Sequence, residues 1–379
     1  MTSNGQFNQT MCTNSPVQNL SAPGVAITWL YTYHEIFLAK FILPSLLVIG
    51  VAGNTTFIYA VVRIKRLHSI TNMYLVNLAV ADILMLCAAI PVYMWIMYSS
   101  SVRYAVPWHT RVGCLTKAVT GYFYFTSLCL VSLVTLERYY AICHPFRHRE
   151  INTKKRTVKL IATTWMLGLL FSICIGFGDG QIVRFCMLWP NEDLFNNFPS
   201  EVRICKTTDS NLVLLEELSK TIPFLIALVG NCFMYIRIMQ TLGGRNLEPN
   251  DNTEHTAQSK FQSHANQVRN QVARLLIING MIFFFCQIGT RVLSFHAILE
   301  LTLNVGFLNS KGVGVILLVS RLMLFMNSVV NPIVYNLTSS IYRQAFKEAF
   351  CQRNCRHTDE NRQSQNTYSM SITRHHSEH

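Results

Sequence analysis

The sequence predicts an all-α membrane protein: a seven-transmembrane helix bundle with a short amphipathic helix after the last span. Three observations predict it. Half of the 379 residues are hydrophobic while only 13% are charged, about half the share with which a soluble domain covers its surface. Seven mostly apolar runs reach the roughly 20 residues that a helix needs to cross a bilayer. None shows the ten-residue alternation of a barrel strand, so each can satisfy its backbone in lipid only as a helix. The composition excludes an ordinary soluble enzyme. The net charge of +13 is assigned to membrane phosphates rather than to nucleic acid.

Residues 1–35 form an amino-terminal segment. Its sequons Asn8-Gln9-Thr10 and Asn19-Leu20-Ser21 are useful as glycosylation sites only outside the cell. No charged-then-apolar leader with a small-residue cleavage site precedes the first run, which is expected to act as the signal-anchor. The membrane domain occupies 36–337, with spans at 36–62, 73–97, 114–142, 158–177, 212–239, 275–299 and 313–337. Lys and Arg beside a span stay preferentially in the cytoplasm. Arg63, Lys65 and Arg66 follow the first span, and Arg147, Arg149, Lys154, Lys155, Arg156 and Lys159 follow the third, so those loops are inside. The loop after the fourth span mixes Asp179, Glu192, Asp193, Glu201 and Asp209 with Arg184, Arg203 and Lys206, which suits the exterior. Seven spans then place the amino terminus outside and the tail inside, as in a multi-pass plasma-membrane protein.

Residues 338–350 read as an amphipathic juxtamembrane helix with Ile341, Phe346 and Phe350 near one face. The polar stretches 243–270 and 351–379 read as disordered, the latter as a cytoplasmic tail. The cysteines divide by side. Cys114 opens the third span on the outer face, and the second outer loop offers Cys186 and Cys205 in a compartment where disulfides persist. Either can bridge to Cys114. Cys205, nearer the fifth span, is preferred, with Cys186 left for Cys12, although sequence does not fix connectivity. Cys351 and Cys355 lie just inside the membrane and read as palmitoylation sites; a metal cluster with His357 is the weaker alternative.

An ionisable group inside a membrane helix costs about 2.5–3.5 kcal/mol on insertion scales, so each asks for a partner or a function. Asp82 sits in the middle of the second span, Arg138 near the inner end of the third between Glu137 and Tyr139, and Arg291 and Arg321 in the outer halves of the sixth and seventh. Asn54, Ser127, Asn327, Ser328 and Asn331 lie at depths similar to Asp82, and such a cluster can coordinate a cation through oxygen. Arg291 and Arg321 predict a cavity for carbonyls or carboxylates, because a guanidinium donates in a planar fork. Pairing with Glu216 or Glu217 at the top of the fifth span is the competing reading. Pro44, Pro91, Pro223 and Pro332 fall within or at the edges of spans, where neighbouring helices can re-satisfy the freed carbonyls.

Taken together, Gly53-Asn54, Leu78-Ala79-Val80-Ala81-Asp82, Glu137-Arg138-Tyr139, Trp165, Pro223 and Asn331-Pro332-Ile333-Val334-Tyr335 resemble the rhodopsin-like G-protein-coupled receptors, in order and over residues 36–355. The resemblance implies that Arg138 holds the inactive state and then meets a heterotrimeric G protein. It implies an allosteric sodium ion at the Asp82 cluster and no other cofactor, with arrestin and receptor kinases as further partners. The chain departs from the pattern at Gln287 and Gly289, where the family has Trp and Pro, and at Asn231, where it has Tyr. Gly289 is expected as the substitute hinge. Cys114 also lies one residue closer to Arg138 than the pattern has it.

Absences narrow the ligand. The seventh span has no Lys for retinal, and Val119 to Tyr122 offers no Asp for an amine. The run Leu136 to Pro145 and the long second outer loop are similar to those of peptide receptors, and Arg291 and the stretch from Arg321 to Asn336 to those of the thyrotropin-releasing hormone receptor group. That similarity implies that Arg291, Arg321 and Tyr122 contact a short amidated peptide, although the group's third-span asparagine is replaced near Phe125. The expected function is a receptor, not an enzyme, for a neuropeptide, acting through a G protein of the Gq class. The alternatives are a same-fold receptor for another peptide or a lipid and, further off, a transporter, for which no internal repeat is found.

Overall fold

The computed structural model describes residues 15–178, 181–207, 209–245 and 257–350. Seven of its helices are long and apolar enough to cross a membrane: Tyr33–Arg63, Ile70–Ser99, Gly113–Cys143, Lys154–Ile173, Ser210–Gly243, Asn270–Leu303 and Gly312–Thr338. An eighth, Ser340–Phe350, follows. The third span is the centre of the bundle and touches the second, fourth, fifth and sixth.

Side chains set where the helices begin. Thr32 and Glu35 form a capping box at the first span, Ser69 Oγ accepts from Asn72 N at the second, and Asn309 Oδ1 accepts from Gly312 N at the seventh, each satisfying a backbone N–H that the helix leaves free. The first span widens to a π-helical stretch at Leu38–Ile42, just before Pro44, whose ring has no N–H to return to the previous turn. Pro91, Pro223 and Pro332 stay inside continuous helices.

Polar contacts join the spans sparingly. Trp165 Nε1 donates to Asn77 Oδ1 at 3.1 Å, Asn231 Nδ2 to Ser132 Oγ at 3.0 Å and Thr135 Oγ1 to Tyr235 Oη at 3.1 Å. Bonds of this kind contribute about 0.6 kcal/mol each in a membrane, so close packing carries most of the assembly. Phe57, Leu75, Leu78, Phe125, Leu130 and Phe283 lie in the largest buried cluster.

Outside the bundle the structure adds a small sheet that hydropathy does not predict. Strands β1 (Val17–Asn19), β2 (Gln181–Leu188) and β3 (Glu201–Lys206) lie in that order. Strand β1 runs parallel to β2 with Val17 opposite Cys186, and β2 runs antiparallel to β3 with Cys186 opposite Glu201. Leu20, Val102, Met187, Phe195 and Val202 close a separate apolar core beneath it. The Cys114–Cys205 disulfide, with a Cα–Cα distance of 5.7 Å, ties β3 to the third span, as preferred from sequence. Cys186 is disulfide-bonded as well, and Cys12 lies outside the described residues. Asn19, exposed at the end of β1, accepts the Ser21 N–H at 3.0 Å. Asn8, Cys351, Cys355 and the tail lie outside the described residues.

One expectation is corrected. Residues 257–270 are not disordered but begin the sixth helix, which runs unbroken from Ala257 to Leu303; low apolar content hides a helix that extends past the membrane. The eighth helix buries Tyr342, Ala345 and Ala349, Ile341 and Phe346 pack against the main core, and Phe350 is 62% exposed. Tyr342 Oη donates to Asn72 Oδ1 at 2.6 Å, and burial pushes its pKa up to about 12.

Candidate functional site

A cavity of about 730 Å³ lies at the sheet end of the bundle. The third span lines it with Lys117, Thr120, Gly121 and Tyr124, and the sixth with Gln287, Thr290, Arg291 and Ser294, in both cases the i, i+3, i+4, i+7 stripe of one helix face. Glu216, Glu217 and Lys220 close the fifth-span wall, and Tyr104 contributes from the loop after the second span. Tyr104 takes a left-handed backbone with φ of 69°, a strained conformation that persists where neighbours hold it. Here Arg103 N donates to Trp29 O at 2.6 Å and Val106 N to Arg203 O at 2.8 Å.

The cavity is unusual in its loose polar ends. Tyr124 Oη, Gln287 Nε2, Arg291 Nη1 and His296 Nδ1 are buried without a hydrogen-bond partner among the described residues, and all four residues line it. The Arg291 guanidinium lies over the rings of Tyr124 and Phe224, 5.2 and 5.5 Å from their centroids. Such stacking holds a cation; Nε and Nη2 reach Thr290 Oγ1 at 3.4 Å, and Nη1 is left without an acceptor. Among the described residues Arg291 forms no ion pair with either carboxylate; Lys220 takes Glu216 at 2.9 Å and Glu217 at 2.8 Å.

Arg321 and Tyr122 are not brought into this cavity. Arg321 is on the same seventh-span stripe as the lining residues Leu317 and Leu324, but its Nη1 donates to Tyr93 Oη at 2.8 Å and its Cζ lies 4.8 Å from that ring's centroid. Tyr122 packs edge-on against Trp165 of the fourth span, with centroids 5.7 Å apart. Tyr124 lines the cavity, two residues further on and about 200° around the helix. Nothing in the sequence marks Tyr104, whose role depends on its loop.

Midway along the bundle, Asn331 Nδ2 donates to Asp82 Oδ2 at 2.6 Å, the Ser328 hydroxyl bonds the same carboxylate, and Asn54 Nδ2 donates to Ser328 O at 2.9 Å. Ser127 and Asn327 are buried, with no hydrogen bond to this cluster seen among the described residues. Asn54 Oδ1 is buried and unpartnered. The free ends here are oxygen donors, which fits a hard cation. Gln287, 1% exposed, replaces an indole at the cavity floor. A Cβ on Gly289 would overlap the Ser320 hydroxyl, so the glycine lets the sixth and seventh spans meet.

At the far end of the third span, Arg138 Nε lies 3.0 Å from Glu137 Oε2 as an ion pair, though without hydrogen-bond alignment. Thr71 Oγ1 donates to the same oxygen at 3.0 Å, and His148 Nε2 stands 3.2 Å from Oε1. Tyr139 Oη shares a hydrogen with His144 Nε2 at 3.1 Å. The short helix Pro145–Ile151 carries Phe146, which is 84% exposed. Sequence reading passed over Phe146, although an aromatic residue directly after Pro145 in a basic loop was a usable signal.

Seven membrane-crossing helices with a polar cavity at one end and a sheltered ion pair at the other define a multi-pass membrane protein. The family described as 7 transmembrane receptor (rhodopsin family) matches residues 53–335, and the chain belongs to it. It is a multi-pass membrane receptor. Neuromedin-U receptor 2 of Rattus norvegicus is 26% identical over 79% of this chain and 71% of its own length. The thyrotropin-releasing hormone receptor of Mus musculus is also 26% identical, over 79% and 75%. The neuromedin U receptor homolog nmur-2 of Caenorhabditis elegans is 24% identical over 87% and 80%.

Proposed function

We propose that the chain is a receptor for a short amidated neuropeptide, bound from outside at the sheet end, which activates a heterotrimeric G protein of the Gq class. The observation that supports this reading is Arg291 Nη1, buried and unpartnered in the 730 Å³ cavity while Nε and Nη2 reach Thr290 Oγ1 at 3.4 Å. A carboxamide-ended peptide offers the carbonyl oxygens that Arg291, Gln287 and Tyr124 lack, and it adds no second charge to bury. Arg321 would join the site if the ligand displaced Tyr93.

Binding shifts a pre-existing equilibrium by the ligand's preference for one packing over the other. In this mechanism the sixth span moves at its cavity end, the Asp82 cluster repacks, and Arg138 leaves Glu137 to meet the G protein, with Phe146 as a second docking point. Asp82, Ser328 and Asn54 Oδ1 would hold a sodium ion in the resting state. Glycans at Asn8 and Asn19, palmitate at Cys351 and Cys355, and arrestin and receptor kinases as later partners belong to the same reading. The test is a panel of short peptides, each as amide and as free acid, applied to cells expressing the chain with a calcium readout. Amide-selective responses are expected. Responses to the free acids alone, or none to any peptide, would refute the reading.

A further inference from the structure

We propose that His296 is a specificity-determining residue of the cavity: its Nδ1 accepts a backbone N–H of the peptide, at a different place along the ligand from the carbonyl that Arg291 binds. The inference deepens the reading of the cavity as a peptide site and rests on it. Of the four buried polar ends without partners among the described residues, Tyr124 Oη, Gln287 Nε2 and Arg291 Nη1 offer hydrogens. His296 Nδ1 is the fourth, and it differs in kind. In a neutral imidazole one nitrogen donates and the other accepts. Glu300 Oε2 stands 3.7 Å from His296 Nε2, and a carboxylate oxygen repels a lone pair, so the ring proton is assigned to Nε2. Nδ1 is left with a lone pair and no donor.

The ring is held in place before any ligand arrives. His296 is 8% exposed, and its imidazole meets the Phe307 ring edge-on with centroids 5.0 Å apart. Asn304 takes a left-handed backbone with φ of 54°, which turns the chain back so that Val305 N donates to Leu299 O at 3.5 Å. Gly306 then comes so near that a Cβ there would lie 3.2 Å from His296 Cε1. A side chain ordered beforehand loses less freedom on binding. Five residues separate His296 from Arg291, about 7.5 Å along the helix and about 140° around it. Arg291 leans on Phe224 of the fifth span and His296 on Phe307 before the seventh, so one amide group does not serve both. The cavity therefore suits a chain with a carbonyl at one place and an N–H at another, as a peptide backbone supplies. Proline has no N–H and is excluded at the residue that His296 reads.

The probe is the most potent amide-ended peptide of the panel above, remade as a set in which each backbone N–H in turn carries a methyl group. Wild type, His296→Phe and His296→Gln are compared as full-length chains at matched surface expression with the calcium readout. One methylation should lower potency on wild type by about ten-fold, the scale of one hydrogen bond. His296→Phe keeps the ring and its contact with Phe307 but removes the acceptor. It should lower the potency of the unmethylated peptide by a similar factor, and the critical methylation should then have no further effect, because both changes remove the same bond. His296→Gln, whose side-chain carbonyl accepts, should recover most of the loss. A histidine that only packs would weaken every peptide alike and leave the pattern of the methyl scan unchanged. The inference is overturned if no single methylation lowers potency on wild type, a result that needs no variant to fold, if the scans of wild type and H296F run parallel, or if H296F keeps wild-type potency. If no amide of the panel activates wild type, the peptide reading itself fails and the inference with it.

Discussion

At the sheet end of the bundle, Arg291, Gln287 and Tyr124 keep buried donors without partners; at the other end, both oxygens of Glu137 are engaged, by Thr71 and Arg138 on one side and His148 on the other. The contrast lies in who supplies the missing partner. A buried group left unsatisfied costs about 1–3 kcal/mol, so the cavity is held in a state that a ligand improves. The ion pair occupies both oxygens of Glu137, although Arg138 Nε lacks hydrogen-bond alignment. On the proposed function, one region is completed by binding and the other is opened by it, and the two requirements make a switch.

That contrast can be broken by mutation, and the largest expected effect is at the self-satisfied end. Arg138→Ala should abolish G-protein activation while peptide binding stays intact, measured by ligand competition beside nucleotide exchange on the same membranes. Normal exchange would remove Arg138 from the mechanism. Cys205→Ser should follow, since a cross-link spanning 91 residues contributes roughly 4 kcal/mol; surface binding should fall sharply, and full binding would show that the sheet does not shape the cavity.

Smaller effects sharpen the comparison inside the cavity. Arg321→Ala should lower agonist potency by about ten-fold, less than Arg291→Ala, because Arg321 lies outside the cavity lining and donates to Tyr93 at 2.8 Å. Tyr124→Phe separates the two costs. Removing an unsatisfied buried hydroxyl should leave the ligand-free thermal midpoint unchanged or higher, yet reduce potency; a lowered midpoint with unchanged potency would mean that the hydroxyl has a hidden structural partner. The smallest effect is expected at Asn77→Ala, which removes the Trp165 bond. About 0.6 kcal/mol should appear as a shift of one or two degrees, with signalling untouched.

The spans were legible because burial in lipid is a local, compositional property: each run of apolar residues announces itself, and observed bounds fall close to the expected ones. Motif residues such as Asp82, Arg138 and Asn331 were legible for the same reason, as polar groups standing out against that background. Contacts between distant segments were not. The parallel pairing of Val17 with Cys186 has no local signature, and neither does the choice of Arg321 between a cavity and Tyr93. Rotation about a helix axis was the other blind spot. Each residue turns a side chain by about 100°, and the two steps from Tyr122, packed on Trp165, to Tyr124, set beneath Arg291, place them on different faces.

The central claim is that Arg291 Nη1, buried and without an acceptor among the described residues, receives the ligand. Its most direct test is the concentration–response of G-protein activation for a peptide agonist found in the amide panel, with wild type and Arg291→Ala at matched surface expression. A buried, charge-assisted contact of this kind is worth about 2–5 kcal/mol, so the half-maximal concentration should rise by at least about 30-fold with the maximum preserved. An unchanged half-maximal concentration would contradict the claim.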